Sequence, residues 1–294
     1  MTEMKPNTGA ALPTSAGWIA RATYAKCVEQ GINADMLWRQ AGLTPLQIDH
    51  PELRIPVRCQ IKFVNLAASA LSDDFLGFHL AQTADLRKIG LLYYVMASAE
   101  VLGVALQRCA RYSALNNEGV RFSYRADRDA RIDFDYTGSG RYTDRHQIEF
   151  VMTTLVRLCR KLTGYNLLPQ RVTFSHCPTD ISEEISEYFG CRIVFGEIVD
   201  GMIFHRAVER LPIRIDPYLN ALLQRYCEEA RAARMTVSVA NPGRGTDLYH
   251  QAPKVGQFVE PRAGLQQLAH YTDGNLRPTQ RDRRASRRAT RALN

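Results

Sequence analysis

His176 and Cys177 are neighbours in the chain, an imidazole beside a thiol, which is the pairing of a base with a nucleophile. They end the alternating stretch Arg171-Val-Thr-Phe-Ser-His, which reads as a strand, and adjacent strand residues point to opposite faces. The two are therefore expected on opposite sides of a sheet, as structural residues. Asp133 and Asp135 share one strand face, as paired carboxylates for acid–base work would. Their alternation with Ile132, Phe134 and Tyr136 is that of a solvated strand face. His205 closes another strand and is expected to be a satisfied partner there. Gly138 and Gly140 make a Gly-x-Gly, but Thr143 stands where a dinucleotide fingerprint needs its third glycine, and no strand-to-helix context supports it. The chain contains no His-Glu-x-x-His, no phosphate loop and no Gly-x-Ser-x-Gly elbow.

The seven cysteines, Cys27, Cys59, Cys109, Cys159, Cys177, Cys191 and Cys227, include no Cys-x-x-Cys pair, so no zinc clip is expected. Most sit among apolar residues and read as buried reduced thiols of a cytoplasmic protein. No catalytic residue, metal or cofactor is expected. An unrecognised enzyme would need convergent titratable groups in a pocket. Binding chemistry has better candidates. Tyr93, Tyr94, Tyr112 and Phe150 are apolar rings able to line a pocket for a small effector, although core packing also uses such rings. Arg281, Arg283, Arg284, Arg287 and Arg288 lie in the last eighteen residues of the sequence with Arg277 and Arg291, where they could meet phosphates.

Charge separates the chain into parts. The formal net charge is +8 over 294 residues, but residues 236–294 hold ten Arg/Lys against four Asp/Glu, and the rest is nearly neutral. At 45% hydrophobic and 23% charged residues the body has enough apolar material for a core. Residues 1–14 are polar, with two prolines, and are expected to be disordered; they lack the apolar run of a signal peptide. No stretch is long and apolar enough to suggest a membrane span. Residues 15–235 read as one folded unit, and 236–294 as a basic, low-structure tail.

The elements that would position these residues follow from periodicity. Residues 15–31 read as a helix capped by Ser15, followed by a short helix over 33–41 and a brief one after Thr44-Pro45. Pro56 opens a stronger helix with Ile61, Val64, Ala68 and Leu71 on one face. Helices over 75–83, from Gly90, and over 102–115 complete a helical N-terminal half. The period then changes to two. Residues 120–125 and 132–137 alternate as a hairpin. A long amphipathic helix over 144–162 carries Ile148, Val151, Met152, Leu155, Val156, Cys159 and Leu162 as one stripe. Strands at 171–176, 191–195 and 201–205 flank a helix over 181–189. Asp216-Pro217 opens a last helix to 235, whose stripe of Leu219, Leu222, Leu223 and Tyr226 can pair with a second copy or cover its own domain. The expected fold is α+β, with a small antiparallel or mixed sheet of four to five strands packed on long helices.

Four stretches in this order carry a family resemblance. Residues 89–106, Ile-Gly-Leu-Leu-Tyr-Tyr-Val-Met-Ala-Ser-Ala-Glu-Val-Leu-Gly-Val-Ala-Leu, lead into Cys109-Ala-Arg-Tyr. His146-Gln-Ile-Glu-Phe begins the long helix. Arg171-Val-Thr-Phe-Ser-His and Tyr188-Phe-Gly-Cys-Arg-Ile-Val-Phe-Gly form paired strands, and Leu211-Pro-Ile-Arg-Ile-Asp-Pro-Tyr-Leu opens the last helix. Over residues 17–235 the chain resembles the arabinose-binding-like N-terminal domain of AraC-type transcription regulators. The resemblance implies a bacterial regulator domain that senses a small-molecule effector and pairs protomers as a homodimer, without catalysis. It does not imply that the effector is a sugar. The family normally continues into a DNA-binding domain of two helix-turn-helix units, whose pattern residues 236–294 do not show. The expectation is a regulator whose DNA-reading half is truncated or out of frame, so that specific DNA binding is impaired. The alternative is a non-specific nucleic-acid-binding protein acting through the Arg-rich tail.

Overall fold

Why the N-terminal half is helical is visible at its helix starts. The computed structural model describes residues 12–136, 143–177, 183–213, 223–229 and 231–232. Helices α1 (Trp18–Glu29), α2 (Ala34–Gln40) and α3 (Pro45–Asp49) come first, preceded by a two-residue strand β1 (Thr14–Ser15) that pairs with β2 (Ile55–Pro56). Asn33 caps α2 by accepting from the Met36 amide. Thr44 and Gln47 form a capping box on α3, with Pro45 at its first position. Ser15 does not cap α1 as its sequence position suggests. Gly17 is the N-cap, with φ 74°, while the Ser15 hydroxyl donates to Gln60 Oε1 at 2.8 Å. The hydroxyl is drawn away because β1 pairing holds Ser15 extended.

Helices α4 (Val57–Leu71), α5 (Leu76–Thr83), α6 (Leu91–Ala97) and α7 (Leu102–Asn116) follow, then the hairpin β3 (Val120–Ala126) and β4 (Asp129–Tyr136). Helix α8 (Arg145–Thr163) precedes β5 (Arg171–Phe174), α9 (Glu183–Phe189), β6 (Ile193–Phe195) and β7 (Asp200–His205). The five strands make one mixed sheet in the order β3-β4-β7-β5-β6. Its hairpin pairs Phe122 with Phe134 and Tyr124 with Ile132. Strands β5 and β6 run parallel, with α9 lying between them in sequence, as a parallel pair requires a crossover. The α+β class, the helical first half and the small mixed sheet expected from periodicity are all present.

Alternation in the hairpin sorts its two faces. Val120, Phe122, Ala130, Ile132, Phe134 and Tyr136 are buried. Asp133 faces outward between Arg125 and Arg131, each at 2.8 Å, and Asp135 is exposed. Of the two carboxylates Asp135 is thus solvated, whereas Asp133, its side chain 15% exposed, is largely covered by the two arginines.

Helix α8 packs on α4, α5 and α7. Its arginines tie down neighbouring chain ends: Arg157 Nη1 donates to the Ala81 carbonyl at 2.8 Å, just before the end of α5, and Arg160 Nη2 to the Tyr188 carbonyl of α9 at 2.8 Å. Gly164 ends α8 in the left-handed region, at φ 73°. The first turn of α8 presses so closely on α5 that a Cβ on Gly77 would stand 1.8 Å from the His146 carbonyl oxygen.

The last described helical residues, 223–229 and 231–232, lie against α7. Leu223 and Cys227 are buried, while Tyr226 is 44% exposed. Tyr112 Oη donates to Glu228 Oε1 at 2.5 Å, and Arg111 Nη2 stands 2.6 Å from the same oxygen. Leu219, Leu222, Gly138, Gly140, the N-terminal residues 1–11 and the whole 236–294 segment with its arginines lie outside the described residues. Among the described residues no helix is long and apolar enough to cross a membrane.

Gly77→Ala is expected to destabilise the domain by about 3 kcal/mol or more, because backbone rather than a yielding side chain occupies the space of the new methyl group. Urea denaturation followed by circular dichroism reads it directly, and an unchanged midpoint would refute the close contact.

Candidate functional site: a buried polar cluster on α8

The amphipathic pattern of α8 that buries Ile148, Met152, Leu155 and Val156 also carries polar residues inward. His146, Gln147, Glu149, Thr153 and Thr154 are all buried, and Glu149 is 0% exposed. Opposite them His176, just past β5, is 3% exposed. His176 Nε2 stands 2.9 Å from Glu149 Oε1, an ion-pair distance without the alignment of a hydrogen bond. His146 Nδ1 is 3.7 Å from the other oxygen, Oε2. The His176 ring is wedged against Phe174 and Phe195, with centroids 5.0 and 5.6 Å away.

Burial pushes the Glu149 carboxyl upward, and the two imidazoles more than reverse that effect, so the group lies below its ordinary value. The carboxylate is therefore held ionised in the core. A second polar chain adjoins it. Gln60 Nε2 donates to Gln147 Oε1 at 2.9 Å, and Gln60 in turn accepts from Ser15. Several buried atoms are left without hydrogen-bond partners: His146 Nδ1, Gln147 Nε2, Thr153 Oγ1, Thr154 Oγ1 and His176 Nδ1. Protein interiors leave few such groups, and each costs about 1–3 kcal/mol where it occurs.

The arrangement does not suit a metal ion. The two histidines address different oxygens of Glu149 rather than a common point. Among the described residues no group of three or more His, Cys, Asp or Glu could hold one.

A third histidine lies nearer the surface. His79 Nδ1 is 2.9 Å from Asp73 and its Nε2 is 3.2 Å from Glu184, so it joins α5 to α9. The hydrogen bond to Asp73 is the main cause that raises His79 above its ordinary value. Burial raises Asp73, but its bond to His79 prevails and leaves it lowered.

The residues singled out in the sequence fall as follows. His176 is buried and Cys177 exposed, but β5 ends at Phe174, so both lie just past the strand expected to carry them. His205 Nδ1 accepts from the Ala207 amide at 3.2 Å and so caps a short 3-10 turn. Four cysteines are buried, and all seven are free. Tyr93, Tyr94, Tyr112 and Phe150 are all buried, in three separate settings. Tyr93 and Tyr94 stack edge to face at 5.2 Å, with Lys161 over the Tyr93 ring. Tyr112 meets Glu228. Phe150 packs edge-on to Trp18 at 4.7 Å, one residue along α8 from Glu149. Sequence reasoning missed Glu149, His146, Gln147 and Gln60. The available signal was register: Glu149 stands three residues before Met152 and seven before Val156, a charge in step with the apolar stripe.

The contribution of the raised His79 is fully present below its ordinary value of 6.5 and lost as pH rises through the folded value above it. His79→Gln is therefore expected to lower the urea midpoint near pH ~5.5 and to converge on the parent protein by pH ~9. A pH-independent difference between the two proteins would contradict the coupling.

The family model described as the arabinose-binding domain of AraC transcription regulators, N-terminal, matches residues 31–213, which include Gln60, the α8 cluster and His176. The fold is similar to the crystal structure of the transcriptional regulator CdpR from Pseudomonas aeruginosa, with a TM-score of 0.53 and 13% identity, covering 82% of this chain and 68% of that one. At that identity the likeness is one of fold. No curated protein matches the sequence. With its helical first half, its five-stranded mixed sheet and a family match over most of its length, the chain belongs to the arabinose-binding N-terminal domain family of AraC-type transcription regulators.

Proposed function

We propose that residues 15–235 sense a small-molecule effector and pair protomers in a cytoplasmic bacterial transcription regulator, without catalysing a reaction. The observation that carries this reading is the concentration of buried polar atoms without partners on α8, inside a domain of a regulator family. A folded core tolerates such atoms where a bound molecule supplies the missing hydrogen bonds. In this reading Phe150 lies beside the polar end of the effector site. Tyr93, Tyr94 and Tyr112 line the side formed by α6 and α7, towards the helical residues 223–229. The Tyr112–Glu228 contact then couples occupancy to the helix that leads to the rest of the chain.

The proposed homodimer uses the stripe of Leu219, Leu222, Leu223 and Tyr226 on that helix. Leu223 is covered by its own domain, which leaves Tyr226 as the described member of the set that faces outward. Residues 236–294 carry no helix-turn-helix pattern in their sequence. A second reading is favoured by the charge of the tail alone: Arg281, Arg283, Arg284, Arg287 and Arg288 would hold nucleic acid non-specifically through phosphates.

A thermal-shift screen of small metabolites on the full chain, followed by sedimentation equilibrium, tests the main reading. At least one compound should raise the melting temperature, since a ligand that binds only the folded state stabilises it. The mass should correspond to two chains and fall to one in Tyr226→Asp. A screen without a single stabilising compound would remove the sensor reading, and a monomer at all concentrations would remove the dimer. The tail is tested separately by deleting residues 277–294 and measuring DNA retention across a salt series. Unchanged retention is expected, and a loss that grows at low salt would favour the non-specific reading.

A further inference from the structure

Helix α8 delivers a carboxylate into the interior between two imidazoles, with neither Lys nor Arg to meet it. A carboxylate offers about four acceptor sites. On Glu149, Oε1 has the off-axis contact with His176 Nε2 at 2.9 Å, and Oε2 faces His146 Nδ1 across 3.7 Å, beyond hydrogen-bond reach. The electrostatic partners of Glu149 are those two imidazoles, with neither Lys nor Arg among them. Arg145, four residues before Glu149, is turned to Asp74 at 2.8 Å and donates from Nε to His146 Nε2 at 3.3 Å rather than to the carboxylate. Thr153 lies one turn beyond Glu149 on the same helix face, and its buried hydroxyl also lacks a partner.

This pattern has a chemical complement. A group that completes Glu149 must donate several hydrogen bonds, and in a medium of low dielectric it gains most if it is also positive. An ammonium brings three donors and a guanidinium five, with no acceptor to be left unmet. A neutral polyol brings donors but no compensating charge. An anion would face the carboxylate directly.

We infer that Glu149 anchors the cationic head of the effector, a small organic ammonium or guanidinium whose N–H groups donate to the Glu149 carboxylate and the Thr153 hydroxyl. This rests on the effector-sensing reading above and adds to it the chemical class of the ligand and the residues that select it. His146 and His176 hold the carboxylate from either side and keep its free acceptor sites turned towards the ligand. Gln147, through Gln60 and Ser15, fixes the start of α8 against the N-terminal helices.

The experiment is a melting series of the full chain with putrescine, agmatine and butylguanidine, each beside a neutral relative: 1,4-butanediol for the diamine and butylurea for the guanidino compounds. At least one cation should raise the melting temperature by about 5–10 °C when present at ~100 times its Kd, and the neutral relatives should not. Glu149→Gln keeps the shape and removes the charge, and should weaken the response about a hundredfold or more. Thr153→Val, an isosteric change that removes only the hydroxyl, should weaken it about tenfold. If E149Q does not fold by circular dichroism, T153V decides, and an undiminished response there overturns the assignment. Equal shifts from the neutral relatives, or no shift from any cation, also overturn it. A neutral or anionic metabolite whose effect survives in E149Q would sink this inference while leaving the sensor reading intact. A protein that no compound stabilises would sink both.

Discussion

The contact between Gly77 and the His146 carbonyl sets the position of α8, and through α8 the rest of the interior. No side chain separates the two helices at that point, so the first turn of α8 is fixed against α5 by backbone rather than by adjustable rotamers. From there the helix runs for 19 residues past α4 and α7. Its arginines satisfy carbonyls near the ends of α5 and α9, which ties two other helices to the same axis. A shift of α8 would disturb each of these at once.

That fixed axis is what makes a buried Glu149 tolerable. An isolated carboxylate in the core would take up a proton or force the helix outward, because desolvation of the charge costs several kcal/mol. Here two imidazoles stand on either side of it, one from the same helix and one from beyond β5, and they hold it ionised. The remaining unmet atoms on α8 make the region a poor choice for stability alone. Cores that retain polar groups at a cost to stability commonly do so at functional sites, where a ligand completes the bonding.

Helices α6 and α7 connect the interior to the helical residues 223–229. Helix α7 packs on α6 and, through Arg111 and Tyr112, on the helical residues that follow 222. Arg108 Nη1 donates to the Val95 carbonyl at 3.2 Å and to the Ser98 hydroxyl at 3.0 Å, so the end of α6 is bound to the same helix. Burial, with the Glu228 bond next, raises the Tyr112 phenol to about 12, so it remains a donor to Glu228 across the physiological range. The body of the domain and the helical residues 223–229 are thus joined by directional bonds rather than by apolar contact alone.

Periodicity alone determined most of the elements. The stripe of α8, the alternation of the hairpin and the capping residues of α2 and α3 are local signals, and local geometry obeys them. The strand expected over 171–176 is shorter, ending at Phe174, so the burial of His176 beside an exposed Cys177 was set by packing past the strand end. Tertiary structure decided what local signals do not contain. Ser15 lost its capping role because a strand pairing forty residues away held it extended and Gln60 claimed its hydroxyl. Glu149 was legible as a charge in step with an apolar stripe, but its partner His176 lies 27 positions further on, at the end of another element. The four aromatic rings share a core without sharing a setting, because each answers to a different neighbour: Tyr94 for Tyr93, Glu228 for Tyr112, Trp18 for Phe150. Side-chain period is a property of the backbone within one element, whereas the meeting of donor and acceptor depends on how elements pack, and only the folded chain brings those distances into being.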